Sequence, residues 1–246
     1  MTDGSLPVLV LDAAAGSVGG CRGPNEDAAW AGPGLVAVAD GVGGNVGGAV
    51  AAALAVDALA CTLGGQPRDD AEAAIRRAVG AANALLGEAV GRTPALTGMA
   101  TTLTAATLDR RGRLALAHVG DSRAYLLRGG RLNQLTKDDT YVQMLVDQGL
   151  IRPDEAAGHP RRSVVTRVLQ GEPVSPSYVI VEPEPGDRWL LCSDGLTTVV
   201  TADRIEAEMI AQPDTQACAE QLLDLALQGG GPDNITVIVA DLSADN

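Results

Sequence analysis

Phenylalanine is absent from the 246 residues, and only two tryptophans and three tyrosines are present. Stacking platforms for nucleic-acid bases depend on aromatic rings, so that class of function is disfavoured. The core must instead be built from Val, Leu, Ile and Ala. Basic residues are also scarce. Eighteen Lys+Arg face 31 Asp+Glu, a formal charge of −13 at pH 7. Nucleic acid and anionic membrane both attract Lys/Arg patches, so neither is expected as a partner. The four cysteines at 21, 61, 192 and 218 form no C-x-x-C pair, which argues against a zinc site. Cys192 in an apolar run and Cys61 in an Ala-rich one read as buried, reduced thiols. The first basic residue is Arg22, so no charged region of a secretory leader is seen, and a cytoplasmic location is expected. The longest apolar-looking stretch, Val46–Leu63, is mostly Ala and carries Asp57. A central Asp costs about 2.5–3.5 kcal/mol on membrane insertion, and Ala cannot offset that. We read the stretch as a helix packed inside a globular protein.

What is present fits a folded chain: 46% hydrophobic and 20% charged residues. No linker, low-complexity tract or repeat divides it, so residues 1–246 read as one domain. Val8–Ala13 and Leu35–Asp40 look like buried strands. Val46–Leu63 and Ala71–Val90 look like helices. Thr101–Leu108, Leu114–Val119, Ala124–Arg128 and Leu132–Thr136 follow as strands. Gly129-Gly130 supplies the positive φ of a tight hairpin turn, and the four strands read as one antiparallel meander. Residues 138–169 are a candidate flap over a site: a short helical signal at Thr140–Gln148, then Pro153, His159-Pro160 and arginines at 161, 162 and 167. Trp189–Ser193 is a strand, Ala202–Ile210 and Thr215–Leu227 are helices, and Ile235–Asp241 is a last strand. This order predicts an α+β sandwich with helices outside.

Several acids fall at the mouths of apolar segments. Asp40 ends LVAVAD, Asp121 ends LALAHVGD, and Asp194 ends WLLCSD. Asp233 precedes the final strand, and Asp27 precedes another apolar stretch. Each could be an ordinary turn acid, as Asp3-Gly4 would be. Converged carboxylates, however, repel one another and lose hydration. A hard divalent cation relieves both costs, since Mg²⁺ and Mn²⁺ prefer oxygen ligands and keep several waters.

The contexts of these acids occur in a fixed order. They are Arg22-x-x-Asn25-Glu26-Asp27, Val38-Ala39-Asp40-Gly41-x-Gly43-Gly44, Ala100-Thr101-Thr102-Leu103 and His118-Val119-Gly120-Asp121-Ser122-Arg123. His159-Pro160-x-Arg162-Ser163, Leu191-Cys192-Ser193-Asp194-Gly195-Leu196 and Gly231-Pro232-Asp233-Asn234-x-Thr236 follow. With these segments, spanning residues 22–236, the chain resembles the metal-dependent, type 2C serine/threonine protein phosphatases in their bacterial form.

The resemblance implies a four-layer αββα sandwich with two central antiparallel sheets. It implies a phosphoprotein phosphatase that hydrolyses phosphoserine and phosphothreonine with a water or hydroxide bridging two Mg²⁺ or Mn²⁺ ions. Asp40 would bridge the two ions and the Gly41 carbonyl would ligate one, with Asp194 and Asp233 on the other. Asp121 and Asp194 would hold a third, weaker ion, near which Ser163 contributes in some bacterial members. Glu26 and Asp27 would act through metal-bound water, with Asn234 supporting them. Arg22 would grip the substrate phosphate with its planar fork. Substrates would be phosphoserine and phosphothreonine proteins, Ser/Thr kinases or their targets among them, and a monomer is expected. No cysteine nucleophile is needed, and no cysteine has the Arg of a C-x5-R loop. Eukaryotic relatives often carry a His, a candidate general acid, where this chain has Val42. His118 shares a strand face with Leu114 and Leu116 and reads as structural; His159 reads as a loop anchor. A non-catalytic phosphoprotein-binding relative should lack ligand acids, and all are present here. A Ca²⁺-binding structural protein would need no Arg22, and the D-x-D-x-D-G spacing is absent.

Overall fold

The structure is a computed structural model and describes residues 9–42, 46–65, 68–184 and 186–244. Gly43 and Gly44 of the Asp40 segment, and Val8 of the first predicted strand, lie outside them. Among the described residues, eleven strands form two antiparallel sheets. The strands are β1 (Leu9–Val18), β2 (Asp27–Gly32), β3 (Leu35–Val42), β4 (Ala100–Thr101), β5 (Leu103–Leu108) and β6 (Leu114–Val119). They continue with β7 (Arg123–Arg128), β8 (Arg131–Gln134), β9 (Ser177–Val181), β10 (Arg188–Cys192) and β11 (Ile235–Ala244). One sheet runs β1-β11-β10-β7-β8, the other β2-β3-β5-β6-β9, with β4 paired to the end of β3.

The sheets face each other across a layer that includes Val36, Val38, Leu116, Leu126, Trp189, Leu191 and Ile238. With no phenylalanine available, branched aliphatics and one fully buried tryptophan fill this layer. Helices α1 (Val46–Leu63) and α2 (Ala71–Arg92) cover the β3 sheet. Ala51, Ala52, Ala55, Val56, Leu59 and Leu63 recur at helical spacing on the buried face of α1, and Asp57 points to solvent. Small Ala side chains let α1 lie close to the sheet. No helix among the described residues is long and apolar enough to cross a membrane. Helices α6 (Ala202–Ala211) and α7 (Thr215–Gln228) cover the other sheet through Ile205, Met209, Leu222 and Ala226. Asp70 and Asp214 accept the third backbone N–H of α2 and α7 and fix where those helices start. The four-layer αββα sandwich expected from the resemblance is present.

The single meander is not. β5 and β6 pair in one sheet, whereas β7 and β8 pair in the other. The chain crosses between sheets at Gly120-Asp121-Ser122. Gly120 has φ +107°, and a Cβ there would stand 2.6 Å from Thr102 Cβ, so only glycine makes this crossing. The Gly129-Gly130 turn, with φ +57° and +76°, closes the second hairpin as the sequence predicts. Two short strands, β2 and β9, were not anticipated. Cys192 is buried as expected, but Cys61 is exposed, because it faces away from the sheet on α1.

Candidate metal centre

The strands deliver the acids to one end of the sandwich. Asp40, near the end of β3, is register partner to Asp27, the first residue of β2. Asp194 opens the short helix α5 (Asp194–Thr197) directly after β10, Asp233 precedes β11, and Asp121 sits in the crossing after β6. Asp40, Asp121, Asp194 and Asp233 line a cleft of about 940 Å³ together with Arg22, Glu26, Gly41 and Ser163. Asp27 supports the wall through Ser193, whose hydroxyl donates to Asp27 Oδ2 at 2.8 Å. Asn234 also borders the cleft. Its Oδ1 accepts the Glu26 N–H at 3.0 Å and its amide nitrogen donates to the Gly19 carbonyl at 2.8 Å. It thereby clamps the loop bearing Arg22 and Glu26 onto the start of β11.

The glycines after two of the acids are not turn glycines. Neither Gly41 nor Gly195 has positive φ. A Cβ on Gly41 would lie 2.4 Å from the Gly48 carbonyl carbon, and one on Gly195 2.0 Å from the Asn234 carbonyl oxygen. Each lets a second backbone pass beside its acid: the first turn of α1 at Asp40, the Asp233 loop at Asp194. The Gly41 N–H donates to the Glu26 carbonyl. A buried hydroxyl layer steadies Asp40 from behind. Thr102 Oγ1 accepts the Asp40 N–H at 3.0 Å and shares a 2.8 Å hydrogen bond with Ser122 Oγ, and Thr101 donates to the Asp40 carbonyl.

The cleft carboxylates outnumber the cations beside them. Burial raises Asp40 well above the usual carboxylate range, and the charges of Asp27, Asp194, Asp121 and Asp233 raise it further. Asp121 is pushed up to about 8 by burial, then by Asp194 and Asp138. Asp194 rises to about 6 through burial, then Asp233 and Asp27. Burial lifts Asp27 as well, against hydrogen bonds from Thr236 and Ser193. Three buried side-chain polar atoms have no hydrogen-bond partner among the described residues, and two of them, Asp27 Oδ1 and Asp194 Oδ1, belong to this group. A buried acceptor left unmatched costs about 1–3 kcal/mol, more for a charged one. An all-oxygen set of this kind fits a hard divalent cation. Among the described residues no three acid, imidazole or thiol groups enclose an ion by themselves, so an ion here would complete its shell with water. Arg22 is the cation at the mouth: 67% exposed, it meets Asp233 at 3.1 Å.

Residues 138–169 border the cleft through Ser163 and Val165 and carry α3 (Tyr141–Asp147) and α4 (Pro153–Ala156). Their base is tied by Asp139, which the sequence reading assigned no role. Buried Asp139 accepts the Gly120 N–H at Oδ2 and pairs with Arg167, and its backbone bonds Gly120 and Thr166. Arg123 forks onto Asp138 at 2.6–3.1 Å. The doublet Asp138-Asp139 just before the helical signal was the available clue. His118 is buried, with Nδ1 on Thr104 and Nε2 on the Lys137 carbonyl. Burial lowers its pKa, so it is a neutral structural residue. His159 Nδ1 accepts the Arg161 N–H, an anchor within the loop. Val42 lines the cleft and offers no proton.

The same fold recurs in known proteins. A family model described as Protein phosphatase 2C matches residues 23–225. The serine/threonine protein phosphatase PstP of Mycobacterium tuberculosis is 49% identical over 235 residues, 95% of this chain but 45% of that protein. The chain thus spans about half the length of this curated relative. The serine/threonine phosphatase stp of Listeria welshimeri is 34% identical over 212 residues, 84% of each chain. The crystal structure of the M. tuberculosis phosphatase PstP/Ppp superposes with a TM-score of 0.90 at 48% identity, covering 94% of this chain and 98% of that one. The PstP catalytic domain in complex with two manganese ions matches at 0.88 and 46%, covering 96% and 100%. Sandwich, strand-end acids and flanking arginine lead to one place: the chain belongs to the protein phosphatase 2C family.

Proposed function

We propose that the chain is a metal-dependent phosphoprotein phosphatase acting on phosphoserine and phosphothreonine. The carrying observation is the ring of buried carboxylates with unmatched charge beside one exposed arginine. The manganese-bound PstP catalytic domain, alike in fold and sequence, supports the reading. Asp40 would serve two Mn²⁺ or Mg²⁺ ions, with the Gly41 carbonyl on one and Asp194 and Asp233 on the other. Asp121 and Asp194 would hold a third, with Ser163 at its edge. When bound, the ions supply Lewis acidity, drawing charge from phosphate oxygens and making a water nucleophilic near neutral pH.

The chain's own residues position the substrate. Arg22 releases Asp233 and turns its fork to two phosphate oxygens, a strong charge-assisted contact. Glu26, held by Asn234 at its backbone, and Asp27, held by Ser193, orient water at the rear of the cleft. The hydroxyls of Thr101, Thr102 and Ser122 keep Asp40 in place as charge shifts in front of it. Val42 has no proton to give and His118 is held by Thr104 and the Lys137 carbonyl, so water in the cleft or another group there would protonate the leaving alkoxide. The substrates are phosphoproteins, Ser/Thr kinases or their targets among them, and the enzyme is a monomer. The test is phosphate release from a phosphothreonine peptide with Mn²⁺ and with EDTA. Release only with Mn²⁺ supports the reading. No release with Mn²⁺, or equal release in EDTA, overturns it.

A further inference from the structure

A second chamber of about 290 Å³ opens beside the cleft, between residues 138–169 and α5. Asp121, Ser163 and Asp194 line both cavities, so the chamber adjoins the place of the reacting phosphate. Its far wall is different in chemistry. Val142 and Val146 of α3 face Pro153 and Ala156 of α4, with Thr197 and Thr198 across from them. Part of the charge on this wall is already used: Arg123 is committed to Asp138 through Nε and Nη2, and Gln143 donates to Asp147, while Arg162 stands at the chamber's edge. The lining carries Asp121, Asp138 and Asp194 against Arg123 and Arg162, and Asp121 and Asp194 are the residues that would hold the third ion. The chamber has room for an aliphatic side chain and not for a folded element.

We propose that this chamber is a specificity subsite that takes an aliphatic side chain flanking the phosphorylated residue of the substrate. The inference rests on the phosphatase reading. Burying a Val, Leu or Ile side chain against α3 and α4 gains the transfer free energy that Ala cannot supply. Because the contact forms next to the reacting group, it raises kcat/KM for the preferred peptides, and pocket contacts of this size discriminate by about 10–200-fold.

The test is a set of phosphothreonine peptides in which each of the two positions on either side carries Ala, Leu, Phe or Asp, assayed with saturating Mn²⁺. p-Nitrophenyl phosphate, which has no flanking residue, is assayed alongside. At one position the wild-type chain should prefer Leu over both Ala and Asp by about 10-fold or more. Ala156→Phe fills the chamber and should erase that preference while p-nitrophenyl phosphate is still hydrolysed. Val146→Ala enlarges it from the other wall and should shift the preference from Leu towards Phe. Hydrolysis of all peptides without preference, a preference for Asp, or a preference unchanged in both variants overturns the subsite and leaves the phosphatase reading standing. A loss in Ala156→Phe equal on peptide and p-nitrophenyl phosphate also overturns it, because the chamber would then be part of the reaction cleft. Failure of the wild-type chain on every phosphorylated substrate overturns both.

Discussion

The two ends of the sandwich treat buried acids in opposite ways. At the end away from the cleft, Asp109 accepts the Arg111 and Arg113 N–H groups and the Arg113 Nε, all at 2.8–2.9 Å. Asp187 receives Arg128 Nε and Nη2 at 2.8 and 2.6 Å and the Glu184 N–H at 2.8 Å. Asp241 receives the Arg188 fork, whose remaining N–H groups cap the carbonyls ending α6. At the cleft end of the same sheets, Asp27, Asp40, Asp121 and Asp194 repel one another, and two of their buried oxygens bond nothing. A fold that pairs its acids carefully at one end has the means to pair them at the other. The contrast supports the proposal that the unpaired end takes cations that the chain does not itself provide.

That contrast can be broken by substitution. Asp40→Asn and Asp194→Asn should each lower phosphopeptide turnover by about 10³-fold or more, the scale of losing a central electrostatic group. In metal-free protein the same changes should leave the melting temperature unchanged or raise it, since each removes a repelled buried charge. Asp187→Ala should do the reverse. It removes the acceptor of Arg128 Nε and Nη2 and of the Glu184 N–H and should cost about 1.5–3 kcal/mol of stability, with turnover at saturating Mn²⁺ intact. Thermal melts in EDTA and steady-state assays would separate the two ends. Equal destabilisation at both would remove the contrast.

Arg22→Ala should act next most strongly. Loss of a charge-assisted bond worth about 1.5–3 kcal/mol raises KM by about 10–150-fold. Arg22 is exposed, so the melting temperature should hold. An unchanged KM would reduce Arg22 to a partner of Asp233. Asp121→Ala sharpens the division within the cleft. Calorimetry should find the tighter Mn²⁺ sites intact while kcat falls, and wild-type kcat would make a third ion incidental.

The smallest effect is a pH slope. Ordinary Asp carboxyls titrate near pH 3.9 in an unfolded chain. In the folded chain Asp194 titrates near 6 and Asp121 near 8. The folded state therefore holds protons that the unfolded state has released, and stability falls as pH rises from about 4 through 8. Melting temperature in EDTA should be higher at pH 5.5 than at pH 8.5, and Mn²⁺ should remove most of the difference. A metal-free protein more stable at pH 8.5 would contradict the crowding of these acids.

Much of this centre was legible because its acids end apolar segments, and such segments read plainly in sequence. LVAVAD and WLLCSD announce both a buried strand and a carboxylate at its mouth. What escaped is what depends on distant neighbours. Gly41 and Gly195 looked like turn residues, yet they serve close passage of backbones from elsewhere in the chain. Thr102, Ser122 and Ser193 carry no local sign that their hydroxyls will meet behind Asp40 and Asp27. The meander reading failed for the same reason: hairpin signals are local, whereas assignment to one sheet or another is settled by packing. β2 and β9 were missed because DAAWAG and SYVIV are short and lack strict alternation.

The most direct test is calorimetric titration of the metal-free chain with Mn²⁺ at pH 7, in two buffers of different ionisation enthalpy. The raised carboxyls must surrender protons as ions bind. At least two ions per chain, bound with net proton release, is the expected result, and Asp40→Asn should lose both. Binding of fewer than two ions, absence of proton release, or an unchanged isotherm in Asp40→Asn would contradict the claim that the unpaired acids form a cation site.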